Sequence, residues 1–213
     1  MSTTSKGNCY LCDAILGKTA MEKHLQESHK WEKDGQKCSL LKIESAFDKN
    51  YWLYIDLPVE KTLSAVDKFL RKIWLECCGH MSEFYSYNKV SNFGHITVRP
   101  GTKLEYFSAG SKLSHIYDFG SSTESIITVI GTIHREPQNE IVRLLARNVP
   151  PLIKCTDCEE TAVLINTEDY NTDNAFYCGN CAENHNFEMM LPVCNSPRMG
   201  VCGYDGELDT FEY

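Results

Sequence analysis

The sequence lacks the long apolar segments that mark membrane and secreted proteins. Its 213 residues contain no run of about 18 apolar residues, so no membrane-spanning helix is expected. The first residues, Met1 to Lys6, are polar and do not form the apolar stretch of a secretory signal peptide. We therefore expect a cytoplasmic protein with no membrane partner.

Motifs of several enzyme classes are also absent. The sequence has no P-loop, nucleophile elbow or HExxH motif, which excludes the chemistry that those motifs carry. A sheet could still gather weak catalytic candidates into an acid–base or metal-assisted hydrolytic site. These candidates are His95, His115, Asp118 and Glu124. Because such a density of polar residues is ordinary, a non-enzymatic protein is the favoured interpretation.

Positive charge is scarce at the C-terminal end of the chain. The formal net charge is −8, and residues 149–213 contain 2 Lys and Arg against 12 Asp and Glu. The remaining residues are nearly balanced in charge. An acidic surface repels phosphate backbones, so nucleic acid could bind through residues 1–75 but not through the C-terminal part.

Cysteine, in contrast, is abundant. Eleven cysteines are many for a cytoplasmic chain, in which disulfides are rare. Clustered cysteine pairs in such a chain indicate metal or redox chemistry. The odd number of cysteines also fits poorly with a closed disulfide framework.

The strongest metal motif consists of two CxxC pairs, Cys155 with Cys158 and Cys178 with Cys181. This spacing is typical of a zinc ribbon, in which four thiolates surround a structural ion. Because the protein supplies all four ligands, no position is left for substrate. A redox dithiol or free buried thiols are the alternatives.

A second motif near the N-terminus resembles a two-Cys/two-His zinc finger. Its ligands would be Cys9, Cys12, His24 and His29, with Cys38 as an alternative to His29. Residues 18–29 would form the helix that carries both histidines. The helix has mixed charges and no arginine, which favours a structural or protein-docking role over base reading. The two motifs together predict two structural zinc ions.

The remaining cysteines carry weaker signals. Cys77 and Cys78 are interpreted as buried free thiols at a helix end. His185, Cys194 and Cys202 lack knuckle spacing, and whether they bind metal stays open.

The pattern of the chain predicts an α+β fold, with a mostly antiparallel sheet and a packed helix. A finger over 1–37 and an acidic zinc-ribbon domain over 149–213 would flank this core domain over 38–148. In the core, periodicity predicts strands over 51–57, 80–87 and 94–98, a helix over 61–75, and a hairpin over 115–130. The polar face of the helix is basic, with Lys61, Lys68, Arg71 and Lys72.

The sequence also resembles the plasmid pRiA4b ORF-three-like family. Tyr117 to Gly120, with Ser122 and Glu124, is similar to the family's YDFGDSWEH signature, although Ser121, Thr123 and Ser125 replace its Asp, Trp and His. The finger, the CxxC pairs and the tail around Asn195 to Arg198 resemble those of zinc-bearing members. The resemblance implies a compact α+β domain of prokaryotic, mobile-element context. The family is labelled transposon-passenger or resolvase-like, and its activity is not established.

Three functions are consistent with these observations. A non-enzymatic protein that docks a protein partner is favoured, followed by a nucleic-acid-associated protein that uses the finger and the basic helix face. A metal-assisted hydrolase is third. A homodimer is a default expectation. The sequence leaves open the partner, the pathway and the role of the Asn195–Arg198 tail.

Overall fold

The computed structural model describes residues 5–86, 96–168 and 175–211. The chain divides into two compact units. The first comprises Met1–Leu70 and Met81–Val149, and the second comprises Arg71–His80 and Pro150–Tyr213. The predicted α+β class with a mostly antiparallel sheet is confirmed. The predicted division into three domains stays a prediction.

The first unit is built on a nine-stranded antiparallel sheet with the strand order β2-β1-β9-β4-β3-β8-β7-β5-β6. Its strands are β1 (Lys6–Cys9), β2 (Ile15–Gly17), β3 (Gln36–Ser45), β4 (Trp52–Pro58), β5 (Ser82–Ser86), β6 (Ile96–Val98), β7 (Lys112–Tyr117), β8 (Thr123–Arg135) and β9 (Arg143–Asn148). The predicted strands and the hairpin over 115–130 correspond to β4, β5, β6 and the pair of β7 and β8, and residues 87, 94 and 95 of the predicted strands lie outside the described residues.

Helices cover both faces of this sheet. Helix α1 (Lys18–Glu27) lies on the face of Tyr54, whose hydroxyl donates a 2.9 Å hydrogen bond to the carbonyl oxygen of Lys18. Helix α2 (Leu63–Leu70) lies on the other face, where Asp67 contacts His115. Because neighbouring residues of a strand point to opposite faces, this arrangement buries all seven residues of β4.

The predicted helix over 61–75 is not a uniform α-helix. Helix α2 ends at Leu70, and Arg71–Leu75 continues as a π-helical turn. In the part of the chain that the structure describes, no helix is long and apolar enough to cross a membrane.

The finger segment is continuous with the sheet. Strand β1 pairs with β9 in the register Gly7↔Asn148 and Cys9↔Ala146. Gly7 is required there because a Cβ atom would overlap the carbonyl oxygen of Arg147 and the ring of Trp52. The finger is therefore the edge of the sheet.

The second unit contains a small antiparallel sheet with the order β11-β10-β12. Its strands are β10 (Leu164–Asn166), β11 (Phe176–Tyr177) and β12 (Met190–Pro192), and a one-turn helix, α3 (Gly179–Ala182), follows β11. Strands of two or three residues cannot bury a large core. The side chains of Asn195, Ser196 and Arg198 are nevertheless buried in this unit.

Candidate metal centres

The four residues of the N-terminal motif lie together in the first unit. Cys9 ends β1, Cys12 lies in the turn before β2, and His24 lies in the last turn of α1. The turn is closed by a 3.0 Å hydrogen bond from the Cys9 amide to the Ala14 carbonyl oxygen. His29 follows the helix, so strand, turn and helix each supply ligands.

The distances between these ligand atoms suit a single tetrahedral ion. The Cys9 Sγ lies 3.4 Å from His29 Nε2, the Cys12 Sγ lies 3.3 Å from His24 Nε2, and the two Nε2 atoms are 3.1 Å apart. Zn–S bonds of about 2.3 Å and Zn–N bonds of about 2.0 Å predict edges of roughly 3.6 Å for S–N and roughly 3.3 Å for N–N. The cluster could therefore hold a metal ion.

The surroundings favour a neutral imidazole at His29. Its pKa is lowered by burial, and also by the nearby His24 and Arg143. A histidine binds metal through a neutral ring nitrogen, so this shift suits a ligand. Burial also raises the pKa of the Cys9 thiol, which would need a cation nearby to stay deprotonated.

Helix α1 is fixed to the sheet by packing and by ion pairs. Met21 and Leu25 are fully buried, and they belong to one core cluster with Trp52 and Tyr54 of β4. In addition, Lys18 pairs with Glu44 at 3.1 Å, and Glu22 pairs with Lys42 at 2.7 Å. Two polar positions of the helix are thus already engaged by the sheet.

The second predicted motif also forms a compact cluster. Cys155 and Cys158 lie in the turn before β10, Cys178 is the N-cap of α3, and Cys181 lies within that helix. The Cys158 Sγ is 3.7 Å from Cys178 Sγ and 3.6 Å from Cys181 Sγ. A tetrahedral zinc site requires S–S edges of roughly 3.8 Å. This group could hold a metal ion as well.

The sulfurs of this cluster influence one another's ionisation. Although burial acts to raise it, hydrogen bonds from the backbone of Cys178, Asp157 and Cys158 lower the pKa of Cys155 to about 6. The neighbouring sulfurs, in contrast, raise the pKa of Cys181. Four thiolates can therefore share this space only if a positive ion neutralises them.

His185 does not complete a metal cluster in the described residues. Its Nε2 lies 2.6 Å from the Asp157 carboxylate, and its ring stacks on Phe187 at 4.7 Å between centroids. Phe187 and Tyr177 pack against the ribbon cysteines. His185 thus helps to close the small core beside this cluster.

A third cluster comprises Cys77, Cys78, His80 and Cys202, all in the second unit. The prediction that Cys77 and Cys78 are buried is wrong, because Cys78 is exposed and Cys77 is only partly buried, although neither forms a disulfide. The sequence left open whether Cys194 and Cys202 bind metal. Cys202 belongs to this cluster and Cys194 does not. The sequence did contain a signal, the dense Cys-Cys-x-His run at 77–80. The fourth member of the cluster, Cys202, lies more than 120 positions away in the chain, so no local pattern links it to that run.

Cys38, the alternative finger ligand, lies elsewhere. It is buried in β3 with its Sγ 3.5 Å from the Gln36 carbonyl oxygen, and burial raises its pKa to about 11. His29 lies in the N-terminal cluster instead.

The three weak catalytic candidates that the structure describes do not come together in one site. His115 is fully buried, and its Nε2 lies 2.8 Å from Asp67, which also accepts a 2.6 Å hydrogen bond from Ser82. Glu124 lies opposite Ile116 in the pairing of β7 with β8, so it points to the other face of the sheet and contacts Ser114. Asp118 caps the turn through the Gly120 amide. His95 lies outside the described residues.

No family model and no curated protein matches the chain. A solved protein of unknown function from Methanosarcina mazei Go1 is similar in structure, with a TM-score of 0.44 and 19% sequence identity. The similarity covers 53% of this chain and 70% of that one.

Proposed function

We propose that the protein is a zinc-stabilised, non-enzymatic docking protein whose acidic ribbon binds a basic segment of a protein partner. The observation that carries this proposal is that the protein supplies a complete set of four ligands at each of these two clusters. The N-terminal cluster and the ribbon each offer four protein ligands, which fill a tetrahedral ion and leave no position for water or substrate. Thiolate and imidazole ligands in this geometry favour zinc.

The second unit offers a surface of suitable chemistry. Three large apolar side chains of the ribbon segment are exposed, with Leu152 at 88%, Val163 at 51% and Met189 at 52%. Exposed acidic residues accompany them in the same segment, namely Asp157, Glu159, Glu160, Glu183 and Glu188. A partner that presents apolar and basic side chains would match both features.

The position of α1 supports docking over base reading. In a finger that reads DNA, the helix inserts polar side chains into the major groove. Here Lys18 and Glu22 are held by ion pairs to β3, and Lys23 lies 3.8 Å from Glu27 on the exposed face. Both lysines of α1 are thus paired with acidic side chains.

The cellular setting is part of the proposal. The abundance of cysteines supports a reducing, cytoplasmic location. A mobile-element or related prokaryotic context follows from the resemblance to the pRiA4b ORF-three-like family. Homodimer formation, nucleic-acid binding and hydrolase activity remain alternatives without a specific structural observation in their favour.

The first experiment excludes or establishes nucleic-acid binding. Zinc-loaded protein is titrated against random duplex and single-stranded DNA by fluorescence anisotropy at about 50 and about 200 mM salt. We expect no binding at either concentration. Tight binding that collapses at the higher salt concentration would contradict the proposal, because released counterions produce that dependence.

The second experiment locates the docking surface by quantitative affinity capture. The variant Glu159→Lys/Glu160→Lys reverses charge on the ribbon, and Glu60→Lys/Glu105→Lys makes the same change on the first unit. We expect a specific protein to be captured by wild type and by the first-unit variant but not by the ribbon variant. The purified partner should then bind wild type in calorimetry. Equal capture by both variants would contradict the assignment of the ribbon as the docking surface.

A further inference from the structure

The second unit contains a cluster of three sulfurs and one imidazole that neither predicted zinc motif includes. The Cys78 Sγ lies 3.6 Å from Cys77 Sγ, 3.5 Å from Cys202 Sγ and 2.9 Å from His80 Nε2. The His80 Nε2 in turn lies 3.3 Å from Cys202 Sγ. All four ligand atoms lie within 4.8 Å of one another.

We propose that Cys77, Cys78, His80 and Cys202 form a third structural zinc site, which ties the C-terminal tail to the segment Arg71–His80. Zinc would require S–S edges of roughly 3.8 Å and S–N edges of roughly 3.6 Å, close to most of the observed distances. Three thiolates and one imidazole are a common ligand set for structural zinc. The inference is independent of the docking partner.

The segment that supplies three ligands is held in shape by its own contacts. Arg71 bridges the segment, because its guanidinium donates to Glu76 and to the His80 carbonyl oxygen, each at 2.8 Å. Gly79 has a positive φ of 76°, a conformation that glycine adopts without strain. The turn therefore places His80 on the same side as the two cysteines.

The tail that supplies the fourth ligand is fixed on the same segment. The Ser196 hydroxyl donates to the Trp74 carbonyl oxygen at 2.6 Å, and the fully buried Arg198 lies 3.4 Å from the Cys77 sulfur. These contacts give the Asn195–Arg198 tail a structural role.

A disulfide explains the cluster less well than a metal does. Cys77 and Cys78 are neighbours in the chain, so their Cα atoms lie about 3.8 Å apart. Cysteines joined by a disulfide usually have Cα atoms about 4.4–6.8 Å apart, so these two are poorly placed to form one. A disulfide between Cys78 and Cys202 would also give no role to His80, whose Nε2 points at both sulfurs. A tetrahedral ion accounts for all four side chains.

The test counts the ions on the intact protein. Native mass spectrometry of full-length protein purified with zinc should give three zinc ions per chain for wild type and two for Cys202→Ala. The control Cys194→Ala removes a tail cysteine outside the cluster and should keep three ions. Two ions on wild type, or an intact mass lower by two hydrogens with a Cys78–Cys202 disulfide in the peptide map, would overturn the proposal.

A second measurement avoids the substitutions altogether. In zinc-loaded wild type, Cys77, Cys78 and Cys202 should resist alkylation by iodoacetamide, although Cys78 and Cys202 are exposed. After chelation with EDTA they should be alkylated at least about tenfold faster, since the free thiolate is the nucleophile. Rapid alkylation of these cysteines in protein that still holds two ions would overturn the third site while leaving the ribbon and finger intact.

Discussion

Asp56 is a fully buried acidic residue of the first unit that contacts two arginines. Its carboxylate is fully buried and accepts hydrogen bonds from Arg135 Nε at 2.5 Å and from Arg143 Nε at 2.8 Å. The Arg143 guanidinium also lies 5.7 Å from the ring of Trp31, which contacts His29. One acid therefore neutralises two arginines, one of which borders the N-terminal cluster.

Asp56→Ala should destabilise the protein strongly. Removing the acid leaves two arginines without their buried counter-charge, a change that typically costs about 3–5 kcal/mol. Urea unfolding at neutral pH measures the loss, and Glu60→Ala, an exposed acid on the same unit, serves as control. A difference between the two variants below about 1 kcal/mol would show that water replaces the lost carboxylate.

A second residue-scale prediction concerns the pH dependence that His29 confers. Because the pKa of His29 in the folded protein is below its usual 6.5, the unfolded chain binds the proton more readily. The stabilisation is therefore present above about pH 6.5 and is lost as the pH falls toward the lowered value. In metal-free protein, wild type should lose stability across this window more steeply than His29→Gln, as followed by urea unfolding. Parallel curves would contradict the prediction.

At the scale of elements, packing holds α1 in place, and a metal ion in the N-terminal cluster would hold it further. Met21 and Leu25 are fully buried against the sheet, whereas an isolated helix of 10 residues would be marginal in water. The candidate metal ligands lie before α1, in its last turn and just after it. Core packing and metal coordination should therefore make separate contributions to the stability of α1.

Met21→Ala tests the packing contribution. Truncating a fully buried methionine should cost about 2–5 kcal/mol, because the cavity cannot collapse fully. The exposed Thr19→Ala on the same helix is the control and should change the free energy of unfolding by less than about 0.5 kcal/mol. Equal effects in chemical denaturation would indicate that α1 is held by its metal ligands alone.

Cys12→Ser tests the metal contribution. The variant removes one exposed ligand without altering the buried face, so β1, β2 and α1 should open more often while the centre of the sheet stays closed. Hydrogen–deuterium exchange should rise in residues 6–27 and remain unchanged in β3 and β8. Faster exchange throughout the sheet would instead mean that the finger supports the whole first unit.

At the scale of the whole molecule, the two units differ in what stabilises them. The first has a nine-stranded sheet with helices on both faces. The second has strands of only two or three residues and two clusters that could hold metal. Small domains with little buried surface usually depend on metal ions or disulfides.

Metal removal should therefore unfold the units unequally. With EDTA present, calorimetry should resolve a low-temperature transition for the second unit and a later one for the first, because binding energy in such sites is folding energy. Protein loaded with excess zinc should show the first transition shifted upward. A single transition, unchanged by chelation, would contradict metal dependence.

The sequence predicted much of the fold because its local signals were strong. The apolar run of β4 and the periodic apolar face of α2 do not depend on distant residues. The spacing of Cys155, Cys158, Cys178 and Cys181 likewise identified a candidate metal cluster from neighbouring positions alone. What it missed was the pairing of β1 with β9, which joins residues about 140 positions apart.

The sequence by itself determined the α+β class, the main strands and the ligand-like spacing of two clusters, because periodicity and knuckle spacing are properties of short segments. Only the tertiary structure decided that the finger is an edge of the sheet and that His115 and Glu124 lie on opposite faces. It also brought Cys202 to Cys77, Cys78 and His80. These are contacts between segments far apart in the chain, and their positions depend on strand register and core packing, which no local pattern encodes.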